Sequence, residues 1–344
     1  MSPLESLPLD TDVVVQYRVR HLTKFVYSAP VAESVMELRM QPLTGPRQRC
    51  LTFDVTTTPR ARIFAYRDPL GSVVHYFDIP GQHARLEIST DAVVEMSSPA
   101  TLPDALPVDA WDAMDEAVAS HEHWDWIQPS GFTACTPALD AFIASLGFGR
   151  DLDPLTFLRR LTTVMFEAFA YEPKSTRVDS PIDEALATRA GVCQDFAHIM
   201  IAIARHQGIP SRYVSGYVAP RPTAASHDRS VPSATHAWIE AWLPGLGWIG
   251  FDPTNDTLAR SRHIGVAIGR DYTDVPPTRG VFKGEAGSEL GVAVAVTRVA
   301  DPVPLDGPGP SARWAPADVA SVATAPVPVD ARQQQHQQHQ QQQQ

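Results

Sequence analysis

The chain has 344 residues, of which 44% are hydrophobic, with 28 Lys+Arg against 39 Asp+Glu and a formal net charge of −11. That length allows about two domains at the usual ~150 residues each, and the apolar content supplies a sizeable core. An acidic chain without a basic cluster excludes a nucleic-acid binder, because phosphate contacts need concentrated positive charge, and it argues against anionic membrane surfaces.

Residues 12–98 alternate with period two and read as an N-terminal β-rich domain. "VVVQYRVRHLTKFVY" places Val13, Val15, Tyr17 and Val19 on one side, "ESVMELRM" does so with Met36, Leu38 and Met40, and "LTFDVTT" with Leu51, Phe53 and Val55. "YRDPLGSVVHYF" reads as a hairpin, with Asp68, Pro69, Leu70 and Gly71 as its turn. Short strands at this spacing predict an antiparallel β-sandwich-like unit.

Residues 99–134 are rich in Pro, Asp and Trp and read as an ordered connector. Its "HEHWD" offers His121, Glu122, His123 and Asp125 to a metal, but His at i and i+2 do not share a helix face. A solvated connector with locally packed Trp is the expectation, with no metal site.

Helical spacing follows Cys135. Leu139, Phe142, Ile143 and Leu146 repeat at i, i+3, i+4, i+7 up to Gly147. Asp153 and Pro154 open a second helix with Leu155, Leu158, Met165 and Phe169 as its stripe. Ser180 and Pro181 open a third, with Gly191 after its end. A fourth runs from Cys193, with Phe196, Met200 and Ile203 along one side and Ile199 widening the stripe, and Gly208 and Pro210 stop it. His198 and His206 on this helix read as surface or supporting groups. "SRYVSGYV" then alternates as a strand, residues 219–233 form a polar loop, and "HAWIEAWL" and "GWIGFDP" form two strands joined by "PGLG". "LGVAVAVTRV" predicts one last buried strand, closing a mixed helix and strand unit at 135–300. Residues 301–344, Pro- and Ala-rich and then Gln-rich, lack the apolar side chains that repay ordering and read as a disordered tail.

The three cysteines, Cys50, Cys135 and Cys193, are far apart, odd in number and without a CxxC pair. That pattern suggests neither a disulfide framework nor a structural zinc. "MSPLESLPLD" lacks the basic and apolar regions of a signal peptide, and no apolar run approaches the ~18 residues of a membrane span. A reducing cytoplasm, where a thiol stays free, is the expected location.

Cys193 opens its helix directly after "RAGV". The positive end of a helix dipole stabilises a thiolate, and the unpaired backbone N–H groups there can bind an oxyanion. His236 begins the strand "HAWIEAWL", 43 residues later, and Asp252 ends "GWIGFDP", 16 residues beyond that. A helix followed by antiparallel strands can bring the three to one cleft as nucleophile, base and orienting acid. The competing readings are a buried structural cysteine, and Asp256 in place of Asp252, though Asp256 falls in a turn after the strand.

"GVCQDFAHIMIAIARHQGIPSRYVSGYV", "HAWIEAWLPGLGWIGFDPTN" and "GRDYTDVPPTRGVFKG" resemble the transglutaminase-like superfamily, in its bacterial branch with a β-rich N-terminal domain. The resemblance spans roughly residues 12–300, with the blocks in the family's order. It implies a papain-like α+β core in which Cys193 is the nucleophile, His236 the base and Asp252 the orienting acid, without a cofactor. Gln194, Asp195 and Trp238 flank the site, either shaping the cleft or serving only local packing, and Tyr171 or Tyr213 would supply a side-chain oxyanion donor. The implied activity is a cysteine-dependent attack on a peptide or protein amide through a thioester. Hydrolysis, as by a peptidase or amidase, is the expected outcome. Amine transfer by a cross-linking enzyme is the alternative. A peptide-binding module and a subunit partnered with an ATP-grasp ligase, the latter by resemblance only, are the further possibilities.

Overall fold

The computed structural model describes residues 14–97, 101–221, 228–229 and 234–300, with the backbone of 327–329. Most of the loop 219–233 and of the tail 301–344 lies outside these residues, apart from one short strand noted below.

Two long strands dominate the first unit. β1 (Val15–Leu38), β2 (Gln48–Thr58), β3 (Phe64–Arg67) and β4 (Val73–Met96) form antiparallel pairs. The two alternating segments expected as separate strands within 12–40 are one strand. Its pairing with β4 slips between Val26 and Val31 and again between Val31 and Glu33. Such irregularities bend a strand without ending it. β2 and β3 pair with opposite ends of β4, so the sheet has two flanked halves. At the bend, Tyr27, Val31, Met36, Leu38, Phe77, Ile79, Leu86 and Ile88 pack into one apolar cluster.

The expected connector contains two helices. α1 (Ala110–Ala119) packs on the second unit through Met114, and the Trp111 indole N–H donates to the Leu152 carbonyl at 2.8 Å; α2 (Trp124–Ile127) meets it through Trp126, edge-on to Trp248 at 5.8 Å. α3 (Pro137–Leu146) is capped by Thr136 and ends at Gly147, whose φ of 68° only glycine adopts freely. α4 (Pro154–Ala168) is capped by Asp153, as expected. It leads into β5 (Ala170–Tyr171), α5 (Ile182–Thr188) and β6 (Ala190–Gly191). Pro181, not Ser180, holds the cap position of α5, because the Ser180 hydroxyl donates to the Glu184 carboxylate instead.

α6 (Cys193–His206) is the core helix, buried from Gln194 through Arg205. The sequence suggests one apolar stripe, yet helices, sheet and connector surround it on every side. It packs on β7 (Ser211–Val218) and β8 (His236–Leu243), which continue into β9 (Gly247–Asp252), β10 (Thr257–Leu258) and β11 (His263–Gly269). The second sheet runs β10-β9-β8-β7-β11. Arg205, buried inside, donates to the carbonyls of Trp126, Gln128, Ser211 and Arg270 and so ties the connector to the sheet.

β12 (Thr278–Lys283) and β13 (Ser288–Arg298) return to the first sheet, both pairing with β1. Residues 135–300 therefore span strands of both sheets. Alternation shows that one face of a strand is buried but not which sheet it joins. β14 (Val327–Val329), inside the segment read as a disordered tail, adds to the edge of β13. Tyr17, Val19, Val94 and Met96 meet Tyr217, Ile264 and Val266 where the two sheets pack. Among the described residues no helix is long and apolar enough to cross a membrane.

Candidate active site

The start of α6 is built by a backbone constraint. Asp195 folds back so that its carboxylate accepts the Val192 N–H at 2.8 Å and the Thr176 hydroxyl. Burial pushes the Asp195 carboxyl up, while the hydrogen bond from Thr176 counters it. A Cβ on Gly191 would lie 2.9 Å from Asp195 Cβ, so only glycine lets the two approach. This fixes the first turn and presents Cys193, half-buried, at its N-terminus. Gln194 donates to the Val178 carbonyl at 2.9 Å and pins the neighbouring loop.

The sheet brings His236 and Asp252 together. His236 is the first residue of β8 and lies opposite Gly216, while Asp252 is the last of β9. His236 Nε2 and Asp252 Oδ2 are 2.8 Å apart, and both residues are buried. His236 Nδ1 is buried without a hydrogen-bond partner. Burial opposes the imidazolium, but the charge and hydrogen bond of Asp252, together with the Cys193 sulfur, raise the His236 pKa to about 10. Burial likewise opposes the Asp252 carboxylate, and His236 outweighs it, holding that group well below the usual range. With Nε2 committed to Asp252, Nδ1 is the nitrogen left to face the thiol.

Asp252 collects more donors than these. Oδ2 also accepts Asn255 Nδ2 at 2.7 Å and stands 3.0 Å from His263 Nε2. Oδ1 accepts the Thr254 and Asn255 backbone N–H groups at 3.0 and 3.3 Å. Thr254, Asn255 and His263 went unrecognised in the sequence, although "DPTN" turns directly after Asp252 and His263, like His236, opens a strand. His236, Asp252 and His263 offer metal-ligating atoms within 4.8 Å of one another. Five donors directed at one carboxylate use its acceptor capacity, so the cluster is a hydrogen-bond hub rather than a vacant coordination site.

Trp238, two residues along β8, stacks on His236 at 6.2 Å and meets His263 edge-on at 5.3 Å. Its ring lies across Gly216, where a Cβ would sit 2.7 Å from the indole. Tyr171, Tyr213 and Tyr272 belong to the same packed core as Cys193, and burial pushes the pKa of each hydroxyl up. Tyr272 was not foreseen. His198 is buried, accepts the Tyr272 backbone N–H at 3.1 Å and stacks on Phe132, so it supports the site from below, whereas His206 is exposed. Asp256 accepts the Thr163 hydroxyl at 2.8 Å in a turn with φ of 46° and takes no part in the cluster. In the connector, His123 packs on Trp242 at 4.5 Å, and the "HEHWD" residues do not converge.

The architecture is a papain-type α+β fold, with a strand-rich N-terminal unit and a core helix whose first residue is a cysteine. The family model described as "Transglutaminase-like superfamily" matches residues 146–253, and that described as "Bacterial transglutaminase-like N-terminal region" matches 17–95. An uncharacterised protein of Mycobacterium leprae is 35% identical over 285 residues, 82% of this chain and 99% of that one. A protein-glutamine gamma-glutamyltransferase of Pseudomonas aeruginosa is 38% identical over 91 residues, 26% of this chain and 14% of that one. The crystal structure of a candidate cysteine protease from Cytophaga hutchinsonii is similar with a TM-score of 0.63 at 20% identity, over 85% of this chain and 93% of that one, a likeness of fold. The chain belongs to the transglutaminase-like superfamily.

Proposed function

We propose that this protein is a cysteine-dependent amide-bond enzyme, a peptidase or amidase, that works through a thioester on Cys193. The observation that carries the reading is the divided imidazole of His236. One nitrogen is held by Asp252, and the other is buried, unpaired and beside a thiol at a helix N-terminus. In this reading the Cys193 sulfur attacks the amide carbonyl carbon, and the oxyanion forms among the backbone N–H groups at the start of α6. The C–N bond then breaks, and the amine leaves with a proton from His236. Water, deprotonated by the same ring, releases the acid and regenerates the thiol.

Hydrolysis is favoured over amine transfer because, among the described residues, no carboxylate is free beside His236 to hold an ammonium. Glu240, on the same face of β8, is paired with Arg212 at 2.6 Å. The test is a mass spectrum of products from a peptide library, with and without millimolar isotope-labelled methylamine. The expected product is the free acid in both cases, absent with Cys193→Ala. Dominant incorporation of methylamine makes the protein a transferase, and equal turnover by Cys193→Ala removes the thiol mechanism.

A further inference from the structure

Asp252 serves two histidines. His236 opens β8 and His263 opens β11, and these strands flank β7 on its two sides. The registers Gly216↔His236 and Val218↔His263 put both rings at the same end of β7, with centroids 6.3 Å apart. Both Nε2 atoms reach the same oxygen, Asp252 Oδ2, at 2.8 and 3.0 Å.

The two rings differ in their second nitrogen. His236 Nδ1 is unpaired, whereas His263 Nδ1 accepts the Arg260 backbone N–H at 3.3 Å. The His263 N–H donates in turn to the Arg260 carbonyl at 2.8 Å, so one turn fixes both backbone and ring. An Nδ1 that accepts leaves the proton of a neutral imidazole on Nε2, pointing at Asp252. The charged groups around His263 are Asp252, His236 and Arg262, and those facing His236 are Asp252 and Cys193.

We infer that His263 is a positioning residue: a neutral third donor that pins Asp252 Oδ2 and takes a share of its negative charge away from His236. The inference rests on the enzyme reading above. Its chemical consequence lies in the second half of the reaction. An ionised His236 suits the resting pair with the thiol, but hydrolysis of the thioester needs the neutral ring as base. A donor that draws on Asp252 without adding a positive charge makes the His236 proton easier to lose. An Arg or Lys in the same place would cancel the Asp252 field altogether. Burial, acting against the pull of Asp252, keeps His263 below its ordinary pKa and hence neutral.

The experiment compares wild type, His263→Gln and His263→Phe. The readout is the pH profile of Cys193 carboxymethylation by iodoacetamide, mapped by mass, with circular dichroism to verify folding. Glutamine retains an N–H donor toward Asp252, and phenylalanine keeps the ring volume without it. In His263→Phe the alkaline midpoint, where His236 loses its proton, should rise by about one pH unit, the scale of one charge-assisted hydrogen bond. His263→Gln should return it to the wild-type value. A midpoint unchanged or lowered in folded His263→Phe overturns the inference. Nitrogen-15 NMR of the wild-type histidines decides the matter without a variant: at pH 7 to 8 His263 must be neutral with its proton on Nε2, and a protonated or Nδ1-protonated ring there overturns the inference. If His236→Ala leaves the wild-type Cys193 profile unaltered, the enzyme reading itself falls, which separates the two failures.

Discussion

At the scale of single residues, the two aspartates near the end of β9 separate by what they accept. Asp252 is fully buried and meets five donors through two oxygens, whereas Asp256 accepts one hydroxyl in a surface turn. An amide in place of Asp252 must turn its NH₂ toward one of the two sets of donors, and it gives up the charge that favours the imidazolium. Asp252→Asn should therefore lower turnover by about ten-thousandfold, the size of the comparable change in a serine triad. Asp256→Asn should stay within about 0.5 kcal/mol in stability and close to wild type in rate. Rates measured on the same peptide substrate decide it, and a dead Asp256→Asn beside an active Asp252→Asn reverses the assignment. A second contrast concerns the thiols. Burial pushes the Cys50 thiol up to about 11, and its S–H donates to the Thr52 carbonyl, so iodoacetamide at neutral pH should label Cys193 well ahead of Cys50.

At the scale of elements, the decisive device is the first turn of α6. Asp195→Ala removes the acceptor for the Val192 N–H and should cost about 1 kcal/mol, as loss of a helix cap does. It should also slow alkylation of Cys193, because the turn no longer fixes the side chain. A wild-type melting temperature and labelling rate in this variant would show that the turn is held by something else. Much of this element was legible in advance. Gly191 and Val192 before a cysteine and a buried run mark the helix start, and strand alternation places His236 and Asp252 at the ends of two adjoining strands. What the sequence hid was tertiary. The apolar run within 288–298 reports a buried strand, but only the folded chain shows β1 as its partner, and β12, which lies mostly exposed, carried no such signal. The Pro-rich segment before Cys135 contains α1, "AWDAMDEAVA", whose Ala, Met and Glu favour a helix and which buries Met114 against the core, a signal masked by the Pro-rich flanks. His263 was invisible as a site residue because its role lies in reaching Asp252 across β7 and β8, a proximity that no local pattern encodes.

At the scale of the whole molecule, buried histidines set the response to acid. Burial lowers the pKa of His21 to about 4 and of His198 to about 3, and lowers His75, His123 and His263 as well. These rings are distributed through the fold. His21 bridges Tyr217 and Thr23 where the two sheets meet, and His198 lies in the core helix below the thiol. In the unfolded chain each titrates near ~6.5, so between that pH and about 4 the unfolded state binds protons that the folded state refuses. Stability from these groups is present above ~6.5 and is lost as pH falls. His236 has the opposite sign: its stabilisation, raised by Asp252, is complete below ~6.5 and is lost as pH climbs toward about 10. On the acid side these five histidines act together with the lowered Asp252 carboxylate, against His236 and the Cys50 thiol, pushed up to about 11, on the alkaline side, which makes the acid limb the steeper. Thermal melts from pH 4 to 10 should therefore give the highest Tm near neutrality, with a sharp fall on the acid side and a shallow one on the alkaline side. His21→Gln, which keeps a polar group between the sheets but cannot titrate, should flatten the acid limb. A Tm that holds level from pH 7 down to 4.5 would mean that these histidines accept protons inside the fold, and that the packing around His21 and His198 is looser than their burial requires.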